Sequence, residues 1–262
     1  MDMGLVGKVA LVTAASRGLG RAVAEELSAE GAAVVICARN PELLEAARAA
    51  IASGGGTIDA VVADVSTVDG VRRGVDAALE RHGRVDVLVT NAGGPPPGRL
   101  DAHDWAAWDR AVMLLLQSAV GLAKGVLPGM RARGWGRIVN IVSIAAKQPV
   151  DGLMLSNSIR GAVLGFARTL ANEEAAAGIT VNNLLPGYTR TERVEELAAA
   201  TARSEGVSVQ EATQRWTSQI PTGRLGEPRE LAALAAFLAS ERASYITGQS
   251  IAVDGGWIKS LL

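Results

Sequence analysis

Gly18 and Gly20 stand between a short apolar run and a stretch of helical periodicity, within Lys8 to Leu27, KVALVTAASRGLGRAVAEEL. Val9, Leu11 and Val12 have the character of a buried strand, and Leu19, Val23 and Leu27 repeat at helical spacing. Such a turn is a phosphate cradle. Glycine lets the backbone come close to a pyrophosphate, while unpaired N–H groups and the positive dipole end at the helix start attract its charge. A turn built only for packing would use the same glycines, so the placement between strand and helix gives the pattern its weight. A second signal lies at the end of the next β-rich run, Ala33 to Ala38. Sheets that hold NAD usually carry an acidic side chain there for the ribose 2′-OH, whereas this chain has Ala38 and Arg39. Arg39 can stack on adenine and pair with a 2′-phosphate, and Arg17 can approach the same phosphate from the other side. The expected cofactor is therefore NADP(H) rather than NAD(H).

The elements that must position these residues alternate along the chain. Asn40-Pro41-Glu42 has the cap, proline and acid of a helix start, and the helix Pro41 to Ala52 ends at Gly54-Gly55-Gly56. Thr57 to Ala63 reads as a third strand, followed by Asp64 and a helix from about Asp69 to Arg81; Val85 to Thr90 is a fourth strand. Helices are further expected over His103 to Arg131 and Gly152 to Ala177, a strand over Arg137 to Val142, a helix from Gly226-Glu227-Pro228 to Ser240, and a last strand over Ser250 to Val253. Short strands joined by helical crossovers imply an α/β fold, a parallel sheet with helices on both faces. No linker, repeat or low-complexity tract interrupts residues 1–262, which are read as one dinucleotide-binding domain.

Composition narrows the partners. Lys and Arg number 26 against 27 acidic residues over 262 positions, a balance that creates no long-range field for nucleic acid or anionic lipid. Arg131, Arg133 and Arg137 are read as a solvated turn. No run reaches 18 uninterrupted apolar residues, and MDMGLVGKVA lacks the pattern of a leader, so a cytoplasmic protein is expected. The single Cys37 sits in an apolar run and fits a core thiol in a reducing compartment. His82 and His103 are far apart, with no ligand spacing around them, and are assigned surface roles without a metal.

Beyond strand four the motifs become specific. TAASRGLG, Asp64-Val65, Asn91-Ala92-Gly93, Ser143, Pro186-Gly187 and the closing Asp254-Gly255-Gly256 occur in an order and spacing that resemble the short-chain dehydrogenase/reductase family over the whole length. The chain is similar in general appearance to 3-oxoacyl-acyl-carrier-protein reductases. The resemblance implies a Rossmann-type, doubly wound, seven-stranded sheet of order 3-2-1-4-5-6-7, with a nicotinamide cofactor across the carboxyl ends of the strands. It places Thr13, Ser16, Arg17, Gly18, Leu19, Gly20 and Arg39 against that cofactor, with Asp64, Val65, Asn91, Ala92 and Gly93, then Arg160, and then Pro186, Gly187, Thr189 and Thr191. Residues 188–222 occupy the position of a substrate lid. The resemblance also implies a small-molecule substrate and a homodimer or homotetramer joined through the helices Asp101 to Arg131 and Gly152 to Ala177.

Departures from the family pattern bear on the chemistry. Ala14 replaces the first glycine of the turn and Val142 a common serine. The family serine, here Ser143, is followed 13 positions later by a tyrosine and four after that by a lysine; this chain has Ser156 and Arg160 there. Leu115 takes the place of an asparagine. Reducing a carbonyl with hydride leaves an alkoxide that needs a proton, and a tyrosine beside an ammonium can supply it. Serine is far less acidic, and a guanidinium holds its proton. Ser156 and Arg160 still share a helix face at i, i+4 spacing, so arginine can hold the ribose. Tyr188, in the loop expected to cover the nicotinamide, and Lys147 are the other candidate donors, each also explicable as a pocket wall or a solvated side chain. The candidate catalytic residues are thus Ser143, Ser156, Arg160 and Tyr188. Two functions follow: an NADP(H)-dependent oxidoreductase for an acceptor that needs little acid assistance, or a silent NADP(H)-binding pseudoenzyme acting as a sensor or oligomer subunit.

Overall fold

Runs of Val, Ile, Leu and Ala without polar alternation make strands buried on both faces, because helical crossovers cover both sides of a parallel sheet. In the computed structural model, which describes residues 2–261, these runs form β1 (Val9–Thr13), β2 (Ala33–Ala38), β3 (Ile58–Val62) and β4 (Val87–Thr90). The helices between them are α1 (Gly18–Ala29), α2 (Pro41–Ser53) and α3 (Val68–His82). There follow α4 (Trp105–Val112), α5 (Ser118–Arg133), β5 (Gly136–Ile141), α6 (Met154–Glu174) and β6 (Ile179–Pro186). The chain ends with α7 (Glu192–Glu205), α8 (Val209–Thr217), α9 (Pro228–Ala239) and β7 (Ser250–Val253).

The strands pair in parallel as β3-β2-β1-β4-β5-β6-β7, the order the resemblance implied. Alternate side chains feed two cores. Val12, Val34 and Ile36 pack with Leu27 of α1, Leu44 of α2 and Leu231 of α9, while Leu11, Val35 and Cys37 pack with Val71 of α3, Leu122 of α5 and Leu170 of α6. Because the chain leaves β1 toward β2 and returns at β4, the strand order reverses between β1 and β4. A crevice opens there, outside the carboxyl ends.

Several expectations are corrected. The helix expected over His103 to Arg131 begins at Trp105, because the Asp104 carboxylate caps it by accepting from the Ala107 amide at 2.7 Å. It is broken by a wide π turn, Met113–Gln117, and runs to Arg133, where Gly134 adopts φ +62. The full stretch Trp105–Arg133 is long and apolar enough to cross a membrane on those grounds alone, yet its inner face is seated against α3 and α6. The helix expected from Gly152 starts at Met154, since Gly152 itself sits at φ +70.

Within the arginine cluster only Arg131 is solvent-exposed, at the end of α5. Arg137 lies inside β5 at 2% exposure and donates to the carbonyls of Gly136, Gly178 and Ser240, with Trp135 stacked beside it. Arg131 pairs with Glu174, and Arg133 donates to the Val85 carbonyl at 2.7 Å. The histidines are likewise half-buried: His82 Nε2 lies 2.8 Å from Asp59, and His103 Nε2 is enclosed without a hydrogen-bond partner.

Cys37 is fully enclosed, and burial pushes its thiol up to about 12. It should therefore stay unreactive toward Ellman's reagent in the folded protein and react at once in denaturant; a fast native-state reaction would contradict this packing.

Candidate active site

The floor of the crevice is a stitch between two strand ends. The Thr13 hydroxyl donates to the Asn91 carbonyl at 2.7 Å and accepts from the Asn91 amide at 2.8 Å, joining the ends of β1 and β4. The Asn91 side chain donates to the Ala14 carbonyl at 3.3 Å. Ala14 is held at φ +47, the one non-glycine among the described residues with positive φ, in a conformation that costs about 1–2 kcal/mol. The family glycine would take it without cost, so the Asn91 contact and the strand ends hold Ala14 against its preference.

Gly20 has no room for a side chain: a Cβ there would stand 2.7 Å from both the Ala14 carbonyl and Asn91 Nδ2. Thr13 and Gly20 therefore shape the cradle from behind. Gly18, at φ +57, opens α1 with its N–H groups facing the crevice mouth, where Thr191 of the α7 cap approaches. Those features fit a pyrophosphate, which needs close backbone and free donors.

Above this floor lies a cleft of about 640 Å³, large enough for a dinucleotide together with a small substrate. Ser16, Arg17, Gly18 and Leu19 line one end with Arg39, Asp64 and Val65. Asn91, Ala92 and Gly93 line the middle, and Pro186, Gly187, Thr189 and Thr191 the opposite wall. Arg39 is exposed just past the end of β2, Arg17 is exposed in the glycine turn 3.8 Å from Glu196 of α7, and the Asp64 carboxylate accepts from the Ser66 amide and hydroxyl.

At the other end the cleft is lined by Ser143, Ser156, Arg160 and Tyr188. Ser143 caps a short turn after β5, its oxygen accepting from the Ala145 amide at 3.1 Å. Arg160 Nε donates to the Ser156 hydroxyl at 3.1 Å, as the i, i+4 spacing anticipated, and its Nη1 donates to the Val142 carbonyl. Burial first, and the charge of Arg193 second, push the Arg160 guanidinium down to about 10. Arg160 also lines a water-sized cavity of about 20 Å³ with Thr90, Ser118, Asn140 and Leu115. Leu115 packs against Leu155 and Ile159, so an apolar cluster fills the asparagine position of the family.

Tyr188 stacks on Trp216 at 4.8 Å and meets Trp257 edge-on, and burial raises its phenol pKa. No cation offsets that rise. Lys147 is exposed and does not line the cleft. Sequence reasoning missed Glu192, Arg193 and Glu196, which enter the cleft from the first turns of α7. Their i, i+1 and i+4 placement after the Thr191 cap was the available signal.

Residues 13–258 match the family described as enoyl-(acyl carrier protein) reductase. Dehydrogenase/reductase SDR family member 4 of Oryctolagus cuniculus is 37% identical over 253 residues, covering 96% of this chain and 94% of its own. This chain belongs to the short-chain dehydrogenase/reductase family. It is similar to 3-oxoacyl-acyl-carrier-protein reductases; that of Vibrio cholerae is 35% identical over 254 residues, covering 97% of this chain and 98% of its own. The crystal structure of L-sorbose reductase from Gluconobacter frateurii, complexed with NADPH and L-sorbose, superposes with a TM-score of 0.95 at 36% identity over 100% of both chains. Fold and relatives are those of NAD(P)-dependent oxidoreductases of the short-chain type.

Gly20→Ala should weaken NADP(H) binding about tenfold or more, since overpacking a fixed backbone costs about 1–3 kcal/mol. Fluorescence titration with NADPH checks this, and an unchanged affinity would show that the cradle yields freely.

Proposed function

We propose that the protein is an NADP(H)-dependent oxidoreductase that moves hydride to or from a small carbonyl or conjugated substrate through an atypical active site. The observation that carries the cofactor choice is the pair Arg17 and Arg39 at one end of the cleft, with no carboxylate at the end of β2. The NADPH complex of the sorbose reductase supports the same choice.

Bound in the cleft, the cofactor supplies a hydride. The chain's own residues then have to orient the acceptor and stabilise the charge that develops on its oxygen. The Ser143 hydroxyl accepts from Ala145 and keeps its proton for the substrate oxygen. Ser156 accepts from Arg160, which directs the Ser156 proton away from the guanidinium and toward the cleft. Arg160, with a pKa near 10, stays charged at neutral pH and stabilises an oxyanion without releasing a proton to it.

Loss of a general acid is typically worth about 10² to 10⁴ in rate. Enones and quinones escape most of that loss, because their reduced anions are delocalised and take a proton from water. Self-association belongs to the same reading, supported by the outer face of α6, where Ser158, Ala162, Gly165 and Thr169 are exposed and small enough for close helix approach.

Assays of NADPH consumption with ketones, enones and quinones should show the conjugated acceptors ahead by about 10² or more. Clear NADPH binding with no turnover of any acceptor would instead favour the pseudoenzyme. Ser156→Tyr combined with Arg160→Lys should raise ketone reduction at least about tenfold. If that variant folds and binds NADPH but gains nothing, Ser156 does not sit at the reacting oxygen. Arg39→Asp should lower NADPH affinity relative to NADH, read by paired titrations.

A further inference from the structure

Arg160 is a cation enclosed among neutral partners. Its guanidinium donates to the Val142 carbonyl and the Ser156 hydroxyl, and no Asp or Glu among the described residues lies within ion-pair distance of it. A second guanidinium, that of Arg193 on α7, lines the same cleft. Arg193 crosses the cleft, donates to the Pro95 carbonyl at 3.1 Å, and stands 2.9 Å from where a Cβ on Gly94 would be. The one carboxylate near Arg193 is Glu196, at 3.7 Å and also 3.8 Å from Arg17.

Of the acids that line the cleft, Asp64 is bound to Ser66 and Glu192 lies over Gly18, while Glu196 is shared between Arg193 and Arg17. Arg160 thus has no carboxylate partner and Arg193 only one that it shares with Arg17, so an anion arriving beside them meets positive charge that is incompletely compensated. Around the pair the walls are apolar: Leu114, Val150, Leu153 and Val194 line the cleft, and Tyr188 is backed by Trp216.

We propose that the space between Arg160 and Arg193 is an anion subsite, and that the substrate carries a carboxylate on an apolar, preferably aromatic body conjugated to its reducible carbon, for which an aryl 2-oxo acid serves as a binding probe. Guanidinium groups hold carboxylates through paired, charge-assisted hydrogen bonds, and the stacked aromatic wall receives the rest of the molecule. Arg193 is then the residue that determines acid specificity. Its seat on α7 means that substrate charge ties this helix to the loop after β4. The inference rests on the oxidoreductase reading for treating the bound anion as substrate; a phosphate of the cofactor is the other anion that could meet these groups.

Titration of the NADP⁺-loaded and the cofactor-free protein with benzoylformate and with its methyl ester separates the two anions, because the oxidised cofactor cannot reduce either ligand. The acid should bind at least about tenfold more tightly than the ester. Arg193→Gln should remove most of that preference while NADP⁺ affinity changes far less, and Arg193→Lys should keep part of it. Equal binding of acid and ester by the parent protein would overturn the proposal. So would parallel loss of NADP⁺ and acid binding in Arg193→Gln, which would assign Arg193 to the cofactor. If Arg193→Gln melts early, Arg193→Lys carries the test, and an unchanged preference over the ester together with weakened NADP⁺ binding would count against the subsite. Absence of NADP⁺ binding by the parent protein would refute the oxidoreductase reading and leave the cofactor-free titration to decide this one.

Discussion

The reciprocal hydrogen bonds between the Thr13 hydroxyl and the Asn91 backbone tie together the ends of the neighbouring strands β1 and β4, and the floor of the cleft rests on that junction. Everything in the cradle is referred to that stitch. It sets the Ala14 carbonyl, which Asn91 holds in a left-handed conformation, and that carbonyl in turn leaves Gly20 no space for a Cβ. The start of α1 is thereby pressed against the strand ends with its unpaired N–H groups turned outward. A buried threonine and a half-buried asparagine thus serve the phosphate site although Thr13 never reaches the cleft surface.

Charge is distributed along the cleft in a way that separates two tasks. At one end exposed Arg39 stands where β2 stops and Arg17 lies in the glycine turn, with Glu192 and Glu196 of α7 close by. At the other end the charge is half-buried. Arg160 spends its hydrogen bonds on a carbonyl and a hydroxyl, neither of which neutralises it, so its field is available to whatever binds between the serines and Tyr188. An unpaired half-buried cation is costly, and sites that keep one are commonly functional.

The same substitutions change the kind of chemistry the site favours. A phenol beside an ammonium delivers a proton; a serine beside a guanidinium offers a hydrogen bond and a positive field while retaining both protons at neutral pH. On the proposed reading Tyr188 is no substitute acid, because burial beside Trp216 and Trp257 raises its phenol pKa. Leu115 extends the trend by surrounding the rear of Arg160 with an apolar cluster. Stabilisation of an anion replaces its neutralisation, which is the physical basis for expecting delocalised or already charged acceptors.

Much of the fold was legible in the sequence, since its signals are local. Apolar runs such as AVVICA can only be two-sided strands, Asn40-Pro41-Glu42 can begin a helix, and the fixed offsets from Ser143 to Ser156 and Arg160 place the latter pair on one helix face, where their hydrogen bond forms. Other facts depended on residues brought together from distant parts of the chain. Arg137, near two other arginines in sequence, is buried because β5 carries it beneath Ser240 and Gly178; Arg193 shares a cleft with Arg160 because α7 folds back over the loop after β4. Residue type and spacing pointed to a glycine turn suited to a nucleotide and put Ser156 and Arg160 where the family resemblance implies a tyrosine and a lysine. Only tertiary packing decided which charges meet, because burial and electrostatic pairing are properties of the folded space between elements rather than of their order along the chain.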